Sequence, residues 1–123
     1  MRINVFNRYN KLSVDKKIVA HLVKKILKKE RYKLGTLNII ITDNNYLKKL
    51  NKMFFKKNRT TNVISFNMEE VSEIYISGAK AKGNKEIYYY IIHGLLHIIG
   101  YHHRNQKENA LMKNKCLKYL SAL

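Results

Sequence analysis

Residues 87–103, IYYYIIHGLLHIIGYHH, join two properties that are hard to satisfy together: an apolar surface almost all the way round, and four of the chain's five histidines. A helix apolar on every side has to be buried on every side. Its apolar stretch ends at Tyr101 and is interrupted by His93 and His97, so it falls short of the roughly 20 residues that cross a bilayer. The segment is expected to form a central helix, not a membrane span, and the rest of the chain must supply layers to cover it.

The remainder reads as those layers. RINVFN (2–7) alternates with period two, as a strand does. Ser13 is placed to cap a helix running to about Tyr32, with Ile18, Val19, Leu22, Val23, Ile26 and Leu27 on one face and lysines on the other. After Leu34-Gly35, LNIIIT (37–42) is a short β-branched run suited to a buried strand. Asp43 then caps a helix carrying Tyr46, Leu47, Leu50 and Phe54. NVISFNM (62–68) and SEIYIS (72–77) flank the acidic turn Glu69-Glu70 and read as paired strands. GAKAKGNK (78–85) leads into the histidine helix, and a last helix from about Gln106 to Leu120 is expected to turn Leu111, Leu117 and Leu120 inward. This order predicts an α/β (α+β) fold, a four-stranded mixed sheet covered by helices.

Nothing divides the chain: it has no proline, no linker and no internal repeat, and 123 residues at 46% apolar can bury one core without a disulfide. A single domain over residues 1–123 is expected. The only cysteine, Cys116, has no partner in the chain, which fits a reducing compartment and an inert buried thiol. The first residues, MRINVFNRYNKLSVDKK, hold no continuous apolar stretch of the kind a signal peptide needs. A cytoplasmic location is the expectation.

His93 and His97 are four apart, so they lie about 40° from each other around a helix and one turn along it. That pairing is a zinc half-site, because neutral imidazole matches zinc and the helix presets the bite. A third ligand on the same straight helix is excluded, since His103 would sit about 120° around from His97. Gly100 solves this by ending the helix in a conformation that opposes a side chain, which returns His103 toward the pair. His102 satisfies the same spacing argument as His103. Three histidines leave a fourth position for water, the arrangement of catalytic zinc sites, where the metal lowers the water pKa toward about 7. His21, on the lysine-rich first helix, has no ligand near it in sequence and reads as structural.

The net charge of +17 makes polyanions such as RNA the favoured partners. The excess is almost all lysine accompanied by Asn, Ile and Tyr, a bias that an AT-rich genome also writes, so charge alone does not establish nucleic-acid binding.

HGLLHIIGYHH resembles the signature of the YbeY family of bacterial endoribonucleases, H-G-x-L-H-L-x-G-Y-D-H, with Ile98 replacing Leu and His102 replacing Asp. The resemblance extends to LNKMFFKKNRTTNVISF (50–66), similar to L-N-x-x-Y-R-x-K-D-x-P-T-[DN]-V-L-S-F, and to SEIYIS, similar to G-[DE]-I-x-I-S. Glu108 and Met112 also fall at the family's places in the last helix. The resemblance implies one zinc on His93, His97 and His103, and metal-dependent hydrolysis of single-stranded RNA. It further implies small-subunit ribosomal RNA maturation, ribosome quality control, and partnership with ribosomal RNA and the small ribosomal subunit in the cytoplasm, with no membrane or DNA partner. Two departures bear on activity. The family's Arg falls on Phe55 and its Pro on Thr60; loss of that Arg removes a bidentate phosphate anchor, and Lys56, Lys57 and Arg59 are the candidates to replace it at the RNA.

Two other functions compete. The zinc spacing matches metzincin peptidases, but these need a Glu beside the first histidine as general base, and Gly94 has no group to accept a proton. The stronger rival is a catalytically weakened zinc-containing protein that binds RNA or the ribosome, for which Phe55 and His102 are the evidence. No residue is identified as the catalytic general base.

Overall fold

The computed structural model of the chain describes residues 1–9, 13–56 and 61–123. Its elements are β1 (Arg2–Asn7), α1 (Lys16–Glu30), β2 (Thr36–Thr42), α2 (Asn44–Phe55), β3 (Val63–Met68), β4 (Val71–Ser77), α3 (Asn84–Ile99) and α4 (Gln106–Ser121). The sheet order is β1-β2-β4-β3. β1, β2 and β4 run parallel, and β3 returns antiparallel beside β4 through the Glu69-Glu70 turn. The mixed four-stranded sheet expected from the sequence is therefore present.

Side chains alternate across a strand, and each face of this sheet collects its own cluster. Val5, Leu37, Ile39, Ile41, Ile74 and Ile76 join the larger core, with α1, α3 and α4. Among the described residues, the opposite face receives α2: Leu47 and Leu50 pack with Ile64, beside Tyr46, Phe66 and Tyr75. α3 lies at the centre, with eight buried residues along it. Burying a Leu or Ile side chain contributes about 1.5–3 kcal/mol, so the apolar histidine helix is the main anchor of the fold.

Several expectations require correction. Asp15, not Ser13, caps α1, accepting from the backbone N–H of Lys17 at 2.9 Å and of Ile18 at 3.4 Å. With the helix starting two residues later, Ile18 falls at the edge of the packed face and is exposed, while Val19, Leu22, Val23, Ile26 and Leu27 are buried. Phe54 is exposed as well, because α2 has only the sheet beneath it and Leu47 and Leu50 fill that contact. In α4, Leu111 and Leu117 are exposed, and the stripe against α3 is Met112, Cys116 and Tyr119, spaced four and three apart on one face. Leu120 is partly buried against the core, as expected. Cys116 is buried, and burial pushes its thiol up to about 11 against an opposing hydrogen bond with Tyr89, which makes it inert at neutral pH.

Glu30, the last residue of α1, closes the fold behind the histidine helix. Its carboxylate accepts from the Tyr101 hydroxyl at 2.6 Å, from Lys115 Nζ at 3.0 Å and from the Tyr119 hydroxyl. Lys115 Nζ also sits 5.2 Å from the Tyr101 ring centroid. Burial raises the Glu30 pKa, but hydrogen bonds from Tyr101, Tyr119 and Lys115 and the Lys115 charge outweigh it, leaving the carboxyl below its ordinary 4.5. A depressed carboxylate contributes stability that is present above the unfolded pKa and lost as pH falls through the folded one. Glu30→Gln is accordingly expected to lower unfolding free energy at pH 7 by about 2 kcal/mol. Denaturant melts across pH should show that deficit shrinking below 4.5.

Candidate metal centre and adjoining cleft

α3 starts after Gly83 and ends at Gly100, whose φ of 125° opposes a side chain. The Gly100 N–H donates to the carbonyls of His97 and Leu96, and Tyr101 N–H donates back to Leu96 at 2.9 Å. This double return closes the helix and reverses the chain. His103 thereby comes back over the pair: ring centroids are 4.8 Å apart for His93 and His97, 4.7 Å for His97 and His103, and 5.6 Å for His93 and His103. One nitrogen from each lies within 4.8 Å of the others.

The electrostatics suit cation capture. Burial, then repulsion from His97 and His103, pushes the His93 pKa down to about 4. Burial and the neighbouring His103 and His102 also lower that of His97, against a hydrogen bond to the Tyr101 backbone. Both imidazoles are thus held neutral, the form that ligates, and a backbone partner on the ring fixes its orientation. Three imidazole nitrogens with no carboxylate among them form a donor set matched to a borderline transition metal such as zinc.

β3 ties this helix end to the sheet. The Ser65 hydroxyl donates to the Gly94 carbonyl at 3.0 Å. Asn67 Nδ2 donates to the Ile98 carbonyl at 3.5 Å while its Oδ1 accepts from Ser72 at 3.0 Å. Contact this close requires glycine at position 94: a Cβ there would stand 2.7 Å from Ile74 Cγ2, 3.0 Å from Ser65 Oγ and 3.2 Å from Val63 Cγ2. The Glu of a peptidase motif has no room at that position, a steric argument added to the chemical one. After the site, Asn105 caps α4 by accepting from Glu108 N–H at 2.8 Å, and Glu108 pairs with Arg104 at 3.1 Å, so the chain leaving His103 is fixed immediately.

Two clefts meet at the histidines. One, of about 510 Å³, runs between His97, His103 and the β3 side chains Ser65 and Asn67, with Asn51 and Phe55 of α2 on its far wall. The other, of about 330 Å³, is bordered by Tyr89, Tyr90, Asn109 and all three histidines. An extended ligand crossing the centre has a path on both sides.

The structure brings together His93, His97 and His103 and leaves His102 exposed outside the group. His21 stands exposed on α1. Lys56, exposed, ends α2 in a left-handed conformation with φ 56°, and Lys57 and Arg59 lie outside the described residues. Ser65, Asn67 and Asn51 were not singled out by sequence reasoning; Ser65 and Asn51 stand at fixed positions of the 50–66 stretch, which is the signal that could have found them. The same applies to the packing task of Gly94.

Comparison with known proteins agrees with this geometry. The family model described as Endoribonuclease YbeY matches residues 4–123. Proteins named endoribonuclease YbeY are similar over most of their length: that of Syntrophomonas wolfei is 31% identical over 93% of this chain and 92% of its own. That of Petrotoga mobilis is 37% identical over 89% and 86%. A protein of Thermotoga maritima solved in solution superposes with a TM-score of 0.61 at 26% identity, covering 96% of this chain and 86% of that one.

The two glycines of the histidine segment should fail differently. Gly94→Ala overpacks the helix against Ile74 and is expected to lower unfolding free energy by about 1–3 kcal/mol, read as a reduced denaturant midpoint. At Gly100 a Cβ meets nothing within 4 Å, so Gly100→Ala costs only backbone strain, about 1 kcal/mol. Its larger effect should be weaker metal retention, measured by competition with a chelator.

Proposed function

Because the chain belongs to the YbeY endoribonuclease family, we propose that it is a zinc-dependent, single-strand-specific endoribonuclease acting in small-subunit ribosomal RNA maturation and ribosome quality control. The observation that carries the reading is the convergence of His93, His97 and His103 beside an open cleft. These three residues would hold the metal. A bound zinc would supply Lewis-acid polarisation of water and of a phosphate oxygen.

The chain's own residues do the rest. His93 and His97 stay neutral and keep their nitrogens available. Ser65 and Asn67 hold the end of α3 at a fixed distance from β3, and so set the width of the cleft. On this reading a single strand lies along the cleft, and the lysine-rich surface attracts its phosphates. The loop residues Lys56, Lys57 and Arg59 are proposed to contact those phosphates in place of the arginine that Phe55 replaces. No helix of the described residues is long and apolar enough to cross a membrane, and a cytoplasmic place beside the ribosome is part of the proposal.

Metal analysis of protein never exposed to chelator is expected to give one zinc per chain, and His97→Ala to lose both metal and RNA cleavage. Fully metallated wild type that binds small ribosomal subunits yet leaves RNA intact would favour the rival binding-only reading, to which Phe55 and His102 point. Phosphate contact by the loop has a separate measure. Each phosphate neutralised on a single strand contributes about 0.7 to the slope of log affinity against log salt. Replacing Lys56, Lys57 and Arg59 together should lower that slope by up to roughly 2 units. The exposed α1 residues Lys24, Lys25 and Lys28, replaced at equal change of charge, should lower it much less.

A further inference from the structure

Phe55 is the one described residue of the larger cleft that combines a large apolar side chain with wide exposure, at 47%. Water on an aromatic face is unfavourable, and Phe55 lines the same cleft as His97 and His103. Its orientation is set from behind. The ring stacks on Phe66 with centroids 6.1 Å apart and planes 21° from parallel. Phe66 is itself wedged edge-on by Phe54 at 5.1 Å and by Tyr75 at 5.9 Å. A ring already held in place loses little freedom when a ligand lands on it.

We infer that Phe55 is a stacking platform for a nucleobase of the single-stranded RNA, adjacent to the metal centre. The assignment rests on the nuclease reading above and adds the chemical class that this wall of the cleft takes: a planar base, where a guanidinium would have taken a phosphate. A flat hydrocarbon ring offers no partner to a phosphate oxygen, but every base has a π-face that stacks on it. The platform does not discriminate among bases. Ser65 and Asn67, the polar neighbours in the cleft, are engaged with Gly94, Ile98 and Ser72, and the stacking contact itself is the same for every base. Neutral stacking also adds nothing to the salt dependence, which separates Phe55 from the charged residues Lys56, Lys57 and Arg59.

The test is equilibrium binding of a phosphorothioate oligoadenylate, which resists hydrolysis, and of an abasic strand of the same length, to the metal-loaded protein and its Phe55 variants. Stacking contributes about 1–3 kcal/mol per base, which corresponds to roughly 5- to 150-fold in affinity. Phe55→Leu, which keeps an apolar contact for Phe66 but lacks a flat face, is expected to weaken oligoadenylate binding by about tenfold. It should leave abasic binding and the salt slope unchanged. Phe55→Tyr should restore wild-type affinity. Equal loss on both strands, no loss on either, or a changed salt slope in Phe55→Leu would overturn the assignment. Cleavage of ordinary RNA, assayed in parallel, separates the two readings: wild type that cleaves while Phe55→Leu binds normally sinks the platform alone. Base-dependent binding lost in Phe55→Leu without any cleavage by wild type sinks the nuclease alone.

Discussion

The contact between α3 and the sheet at Gly94 is the constraint on which the rest of the structure depends. An apolar helix must be covered on all sides, and here the sheet covers one side so closely that a single methyl group at position 94 would collide with Ile74. That closeness lets Ser65 reach the Gly94 carbonyl and Asn67 reach that of Ile98. The histidines then stand at a fixed height above β3. α1 and α4 complete the cover, and Glu30 fastens them together by receiving Tyr101, Lys115 and Tyr119 at one carboxylate.

Much of this was legible in the sequence where the relevant interaction is local. The strands and helices follow from period and caps, and the histidine cluster follows from spacing, because its three members lie within one helix and the turn after it. Expectation failed where a distant partner decides. Leucine outranks tyrosine as a core residue on hydrophobicity alone, yet Tyr119 is inward because its hydroxyl meets Glu30, 89 residues away. Leu111 and Leu117 are left outside as a result. Similarly, Ser13 and Asp15 are both good caps, and only the path of the chain into α1 selects Asp15.

The cleft wall was less legible than the metal centre for the same reason. Phe55 was visible as a departure from a family pattern, which says what is absent, not what the new side chain does. Its role depends on Phe66, on a strand whose position beside α2 is set by pairing with β4. Asn67 likewise reads as an ordinary polar strand residue until its bond to the end of α3 is seen.

The division of labour along the chain has a consequence for how such a protein changes over time. All three histidines come from residues 93–103, whereas the facing wall comes from α2 and β3, a stretch some forty residues earlier. The two halves meet where β3 packs on α3 at Gly94, beside Val63 and Ser65, and through hydrogen bonds to the Gly94 and Ile98 carbonyls; elsewhere they face each other across the cleft. Substitution at a cleft-facing position away from that packing can therefore alter the wall while the histidine half is inherited intact. Phe55 stands at such a position, in a chain that carries all three histidines.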